Sequence, residues 1–177
     1  MLISCIIKQN QLSRGRLVEN NELIISAVGA FIAVAIAGFF SSIILTSAGS
    51  PLIIASAGAS AMLMFGLPHS EVSRPRNLVV GHSISAFVGV TCYYSIPDAL
   101  LSTSVAIPVA LVLMHLLKSM HPPGGATAIT AIIGGETVHQ LGYAFVIMPI
   151  FMNSLVLLVV ALAVASFRSK NPFESYL

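Results

Sequence analysis

The segment with the most chemical potential is Lys118-Ser119-Met120-His121-Pro122-Pro123-Gly124-Gly125-Ala126-Thr127-Ala128. Two prolines hold the backbone extended and donate no hydrogen bonds, and two glycines let another backbone or a ligand come close. A helix opening near Gly125 would leave its first amide groups without intrahelical partners and carry roughly +0.5 of an elementary charge at that end. Such an end inside a membrane attracts an anion without needing a lysine. Thr127 adds a hydroxyl, and His121 would stand at the cytoplasmic mouth and shape the approach. A plain Pro-Gly turn with Thr127 capping the helix is the alternative.

A second segment, Ser56-Ala57-Gly58-Ala59-Ser60-Ala61, matches the first in Gly58-Ala59-Ser60-Ala61 against Gly125-Ala126-Thr127-Ala128. It too could open a short helix, with Gly58 and Ser60 facing the same anion as Gly124, Gly125 and Thr127. Close packing of small residues between helices is the alternative. The third segment, Gly66 to Asn77, holds the densest charge. His69, Arg74, Arg76 and Asn77 could form a basic vestibule that draws anions inward. Glu71 could pair with Arg74 or Arg76 and blunt that field, and a solvated loop anchoring the interface is the plain reading.

His82 and His115 lie inside apolar runs, where a polar side chain usually faces the bundle or a water path. They are the candidates for proton coupling; snorkelling or a plain hydrogen bond is the alternative. His139 reads as part of an exposed loop. No His, Cys, Asp or Glu cluster has metal-ligand spacing, and neither Gly-x-Ser-x-Gly nor a phosphate loop occurs. Cys5 and Cys92 are far apart and match no redox motif. No nucleophile and base stand out as a pair. We therefore expect no metal, no cofactor and no enzyme activity.

The elements that must position these residues are membrane helices. Of the chain's 177 residues, 56% are hydrophobic and only 8% charged, against roughly 25% charged in a soluble domain. A net charge of +2 gives no footing for nucleic acid. Leu23–Leu45, Leu78–Ile96, Ala99–Leu117 and Leu141–Phe167 are uncharged runs long enough for the ~20 helical residues a bilayer requires, the last with Pro149 as its kink. Ala57–Phe65 and Gly125–Ile133 read as half-helices reached through irregular backbone, with Pro51 before the first and Pro122 and Pro123 before the second. Such backbone persists at membrane depth only where protein or water covers it.

The plan is span, half-helix, span, used twice: residues 23–96, then 99–167. If every element crosses, Lys8, Arg14, Arg16, Arg74, Arg76, Lys118, Arg168 and Lys170 share one side, while Asp98 and Glu136 take the other. That is the distribution the positive-inside rule demands. It places residues 1–22 and the 168–177 tail in the cytoplasm of a cell membrane protein. The basic residues follow rather than precede the first apolar residues, so the first span is expected to act as an uncleaved anchor. Three crossings per repeat is odd, so the second copy must be inverted, as in many secondary transporters. We expect an all-α bundle of four long spans and two broken helices, assembled as a homo-oligomer, a dimer, in which a second subunit covers the half-helices.

The motifs Leu67-Pro68-His69-Ser70, Arg74-Pro75-Arg76-Asn77, Gly81-His82 and His121-Pro122-Pro123-Gly124-Gly125-Ala126-Thr127-Ala128, in that order, resemble the HPP family of integral membrane proteins. The resemblance covers about residues 23–167. It implies a transport role, since members from cyanobacteria and plastids are associated with nitrite. Many bacterial members carry a CBS pair after the membrane part; here a short polar tail is expected instead. Nitrite, a small planar monoanion, suits backbone amides and one or two hydroxyls, and a weak uncharged site also lets it leave. The expectation is a transporter or channel for a small inorganic anion, nitrite or nitrate. Two rivals stay open: a scaffold or sensor subunit that transports nothing, and a pore for neutral solutes.

Overall fold

A computed structural model describes residues 22–45 and 50–168, with the side chains of 50–52 and 168 outside the description. The basic residues Lys8, Arg14, Arg16 and Lys170, and Cys5, lie outside the described residues. The elements are α1 (Leu23–Ile44), α2 (Ser50–Gly66), a single 3-10 turn (Glu71–Ser73), α3 (Pro75–Ser95), α4 (Ala99–Leu116), α5 (Gly124–Ile133), α6 (Glu136–Leu141), a wide-turned segment (Val146–Phe151) and α7 (Met152–Arg168). Four stretches are long and apolar enough to cross a membrane: Leu23–Ile44, Pro75–Ser95, Ala99–Leu116 and Val146–Phe167. Their large side chains, among them Phe31, Ile43, Leu100, Val159 and Phe167, point outward. That is unfavourable in water and favourable against lipid.

Contacts at the helix ends fix the direction of each pass. A side chain on Gly29 of α1 would strike Phe65 of α2 and Val164 of α7, so the start of α1 and the ends of α2 and α7 lie together. Ser73 Oγ donates to the Leu63 carbonyl at 3.0 Å, and Arg76 Nη1 donates to the Lys118 carbonyl at 3.3 Å. The start of α3 and the end of α4 therefore share that end of the bundle. At the other end Tyr93 stacks on His139 with ring centroids 3.8 Å apart, and Asp98 caps α4 by accepting from the Leu101 amide at 2.7 Å. The described helices run alternately up and down, and Arg74, Arg76 and Lys118 cluster at one end, opposite Asp98 and Glu136.

Two elements differ from the sequence reading. The helix expected at Ala57–Phe65 is not half-length. It runs from Ser50 through 17 residues, about 25 Å at 1.5 Å per residue, and Pro51 falls in its first turn, where no backbone donor is required. The fourth span starts at Val146 rather than Leu141, because α6 ends at Leu141 and Gly142 follows with φ +52°. Pro149 does mark the break: Met148, just before it, leaves helical geometry at φ −127°, ψ 118°. His139 belongs to α6, half-buried, and its Nε2 donates to the Ile132 carbonyl at 2.9 Å.

α5 is the true short helix, 10 residues and about 15 Å long. It packs against α3, α4 and α2 of its own chain, so no second subunit is needed to cover it. Small residues make this possible. A Cβ on Gly81 would meet His121 Cβ at 2.7 Å, and one on Gly89 would meet the Ala128 carbonyl oxygen at 2.5 Å. Gly81, Ser85 and Gly89 recur every fourth residue, a flat stripe on α3 into which α5 sinks. Elsewhere the core is alanine-rich, with Ala33, Ala37, Ala57, Ala61, Ala161 and Ala165 joining α1, α2 and α7.

Candidate functional site

α2 contributes Ser56 and Ser60, one turn apart on the same buried face. α3 contributes His82, eighth in its helix because α3 begins at Pro75 and not at Leu78. The turn before α5 contributes His121, and the first turn of α5 contributes Thr127. All five are buried. Ser60 Oγ lies 2.7 Å from His82 Nε2 and 3.0 Å from His121 Nε2. Thr127 Oγ1 lies 2.7 Å from His82 Nδ1 and 2.7 Å from Ser56 Oγ. His121 Nδ1 lies 2.8 Å from the Val72 carbonyl. The two imidazoles meet edge to face with centroids 4.8 Å apart.

The partners assign the hydrogens. A carbonyl can only accept, so His121 Nδ1 carries a proton and, in the neutral ring, Nε2 accepts. Ser60 then donates to His121 Nε2 and accepts from His82 Nε2–H. His82 Nδ1 accepts from Thr127, which accepts from Ser56. One unbroken chain of hydrogen bonds thus runs from Val72 on the 3-10 turn to Ser56 on α2. Ser60 has a second acceptor, the Ser56 carbonyl at 3.1 Å. If His121 Nε2 gains a proton, the Ser60 hydroxyl can turn to that carbonyl and accept from both rings. That rearrangement would keep every hydrogen bond of the cluster around one added proton, with no heavy atom displaced and no group orphaned.

A small cavity adjoins Ser56 and His82 and reaches Asn153 and Ser154 on α7, with Ile53 and Leu157 as apolar walls. Asn153 and Ser154 were not singled out in the sequence. The signal was present, since Asn153 is a lone amide in a long apolar run, where polar groups are costly unless used.

The structure redistributes the predicted site residues. It brings Ser60, His82, His121 and Thr127 together. His121 is fully buried, not at a mouth, because its ring is clamped between Val72 and Ser60. His82 is also buried and does not snorkel. His115 is exposed on the last turn of α4, on a face that turns away from the cluster, and drops out as a relay partner. Ser60 beside His121 is a nucleophile-and-base combination that the sequence hid, because 61 residues separate them. Both groups are enclosed, with their hydrogen-bonding capacity taken up by neighbours.

The anion-binding helix ends are not as expected. The Gly124, Gly125 and Ala126 amides donate to the carbonyls of His121, Pro122 and Pro123 at 2.9, 3.0 and 3.1 Å. A tight turn thus satisfies the amides expected to face a ligand. Gly124 is a packing residue: a Cβ there would meet Ser85 Oγ at 2.5 Å and the Gly81 carbonyl oxygen at 3.1 Å. Gly125 faces Ile107. Ser60 sits inside α2 rather than at its start, and Gly58 lines an outward apolar groove with Ala30, Phe31 and Val34. The two helix N-termini therefore do not converge on a common point.

Among the vestibule residues, His69, Arg74 and Arg76 are exposed. Glu71 lies 3.8 Å from Arg74, a solvated pair worth little. Asn77 is buried and donates to the Glu71 carbonyl at 2.7 Å, which pins the loop rather than lining an opening. Among the described residues no group of His, Cys, Asp and Glu could hold a metal ion.

The family described as HPP, transmembrane region, matches residues 16–174. The chain belongs to the HPP transmembrane family. Two transmembrane proteins of Dictyostelium discoideum are similar to it, at 37% and 38% identity over 122 residues. Each alignment covers 67% of this HPP chain and 42% or 39% of the relative, so the chain spans about two fifths of the length of these relatives. No solved structure matches. The motif that names the family, His121-Pro122-Pro123, here forms the turn that caps α5 and fixes His121 against Ser60.

Proposed function

We propose that this HPP protein is a membrane transporter that moves a small inorganic monoanion, nitrite first and nitrate second, together with a proton. The hydroxyl of Ser60, shared between His82 and His121, is the observation that carries the reading. An ionisable pair within an apolar bundle is costly unless it functions. Among the described residues no carboxylate, lysine or arginine hydrogen-bonds to any member of the cluster. One proton on the histidines would leave a positive charge without a counter-ion in a medium of low dielectric. A monoanion would neutralise it, so proton and anion favour each other's binding, and the pair crosses with no net charge. Among the described residues the cluster holds imidazoles and hydroxyls and no fixed cation, a weak site that permits release.

In this reading the two triplets, α1, α2 and α3, then α4, α5 and α7, form an inverted repeat. Their matched residues Ser60 and Thr127 grip opposite sides of one imidazole. Arg74, Arg76 and His69 draw anions to the cytoplasmic face, both termini are cytoplasmic, and the protein sits in the cell membrane. Uptake of labelled nitrite into proteoliposomes, driven by a gradient that is acidic outside and alkaline inside, tests the function. Uptake above that of protein-free vesicles, lost in His82→Asn, is expected. No uptake under any gradient, while a control porter in the same vesicles works, sinks it. Tight packing of α5 into α3 favours a second reading, a closed scaffold. It predicts that a cysteine at Thr127 stays unreactive to water-soluble thiol reagents in every condition.

A further inference from the structure

The side-chain amide of Asn153 leaves its oxygen without a partner in the interior of the bundle. Asn153 Nδ2 donates to Ser41 Oγ at 2.7 Å. Ser41 Oγ in turn donates to the Ala37 carbonyl at 2.8 Å, so its hydrogen is committed and it can only accept from Asn153. The amide orientation is thereby fixed, and Asn153 Oδ1 is a buried acceptor with no protein donor. Leaving such an atom unmatched is costly, and native proteins usually match it.

Asn153 lines the small cavity beside Ser56 and His82, and Ser41 does not. The other polar groups there have hydrogens already placed. Ser154 Oγ donates to the Ile150 carbonyl at 3.0 Å, Ser56 donates to Thr127, and both His82 nitrogens are engaged. The cavity therefore offers mainly acceptors, Asn153 Oδ1 and free lone pairs of Ser56 and Ser154, with the second N–H of Asn153 Nδ2 as its one uncommitted donor. The room open to a water-sized sphere is about 10 Å³, close to the ~10–15 Å³ that one water molecule needs.

We propose that this cavity is a binding site for a single neutral O–H donor, which gives its hydrogen to Asn153 Oδ1 and lies at the Ser56 end of the hydrogen-bond chain. A water molecule fits this room, and the hydroxyl of an undissociated small acid shares the chemistry but requires the cavity to widen. A bare anion does not share it, because it has no hydrogen to give Asn153 Oδ1 and would set its charge against that oxygen. The inference rests on the transport reading only for its second source: the proton and the anion of that reading, combined, are such an acid.

Solid-state NMR in lipid bilayers tests the site without using transport. Magnetisation transfer from water hydrogens to the Asn153 side chain, absent in Asn153→Leu, is expected at neutral pH. If added nitrite at acidic pH removes that transfer, the undissociated acid takes the place of water; if the transfer persists, the donor is water alone. Either result supports a donor site. No transfer in either condition overturns it, whatever the vesicles do. Uptake supplies a second arm, with Ser41→Ala as the control that loses the Nδ2 contact and keeps the acceptor. Asn153→Leu should lower nitrite uptake about tenfold, the effect of one buried hydrogen bond, and Ser41→Ala less than about twofold. Equal losses in both would reduce Asn153 to a packing contact and also overturn the site. Water transfer to Asn153 in a protein that takes up no nitrite would retain the site and remove the transport reading.

Discussion

Ser60 and Thr127, 67 positions apart in sequence, hold the two nitrogens of the same His82 ring at the same distance, 2.7 Å. One comes from the middle of a helix that runs almost the whole way across, the other from the first turn of a short helix. Both nitrogens are saturated, so the ring is fixed in rotation and in tautomer by residues from two different elements.

Thr127→Val keeps the side-chain shape and removes both the donor to His82 Nδ1 and the acceptor for Ser56. Two buried groups are left unmatched, at a cost of about 1–3 kcal/mol each. Nitrite uptake should fall at least about tenfold. A thermal melt in detergent should show a lowered midpoint, and Thr127→Ser should restore both.

Adjacent glycines of the family motif should behave oppositely. Gly124→Ala drives a methyl into Ser85 Oγ and the Gly81 carbonyl, which should cost about 1–3 kcal/mol as overpacking. Gly125→Ala meets only Ile107 Cδ1, at 3.6 Å, and should stay within about 0.5 kcal/mol of the parent. Equal melting midpoints for the two variants would contradict the packing described for α5.

Removing single histidines separates the cluster from the surface. His121→Ala deletes the bond to Val72 and the partner of Ser60, so uptake and its dependence on an imposed pH gradient should both be lost. His115→Ala alters an exposed position and should leave both within about twofold, as surface changes generally do. Initial uptake rates measured with and without the gradient distinguish them.

Arg76→Gln removes a charge and the exposed hydrogen bond to Lys118. Uptake of anions should slow a few-fold at low ionic strength and approach the parent rate near 0.15 M salt, where charges more than about 8 Å apart are screened. A rate unaffected at low salt would remove Arg76 from the vestibule.

The sequence by itself determined the membrane architecture. The runs at 23–45, 78–96 and 99–117 emerged as helices within a few residues, because an uncharged apolar stretch of that length has few other stable states in lipid. Their direction was legible too, from Arg74, Arg76 and Lys118 set against Asp98 and Glu136. Ser60, His82, His121 and Thr127 could be singled out as costly polar groups, and the motifs they belong to pointed to the family. The tertiary structure alone decided how these residues are used. Helix ends were misjudged at α2 because Pro51 is compatible with a first turn, and amide exposure at α5 because the His121–Pro123 turn supplies local acceptors. The pairing of His82 with His121 rather than His115, and the unmatched oxygen of Asn153, depend on which faces of distant helices meet. Hydropathy reads each helix against lipid, whereas a hydrogen bond between helices depends on rotation and depth, which only the packing of Gly81, Ser85 and Gly89 against α5 fixes.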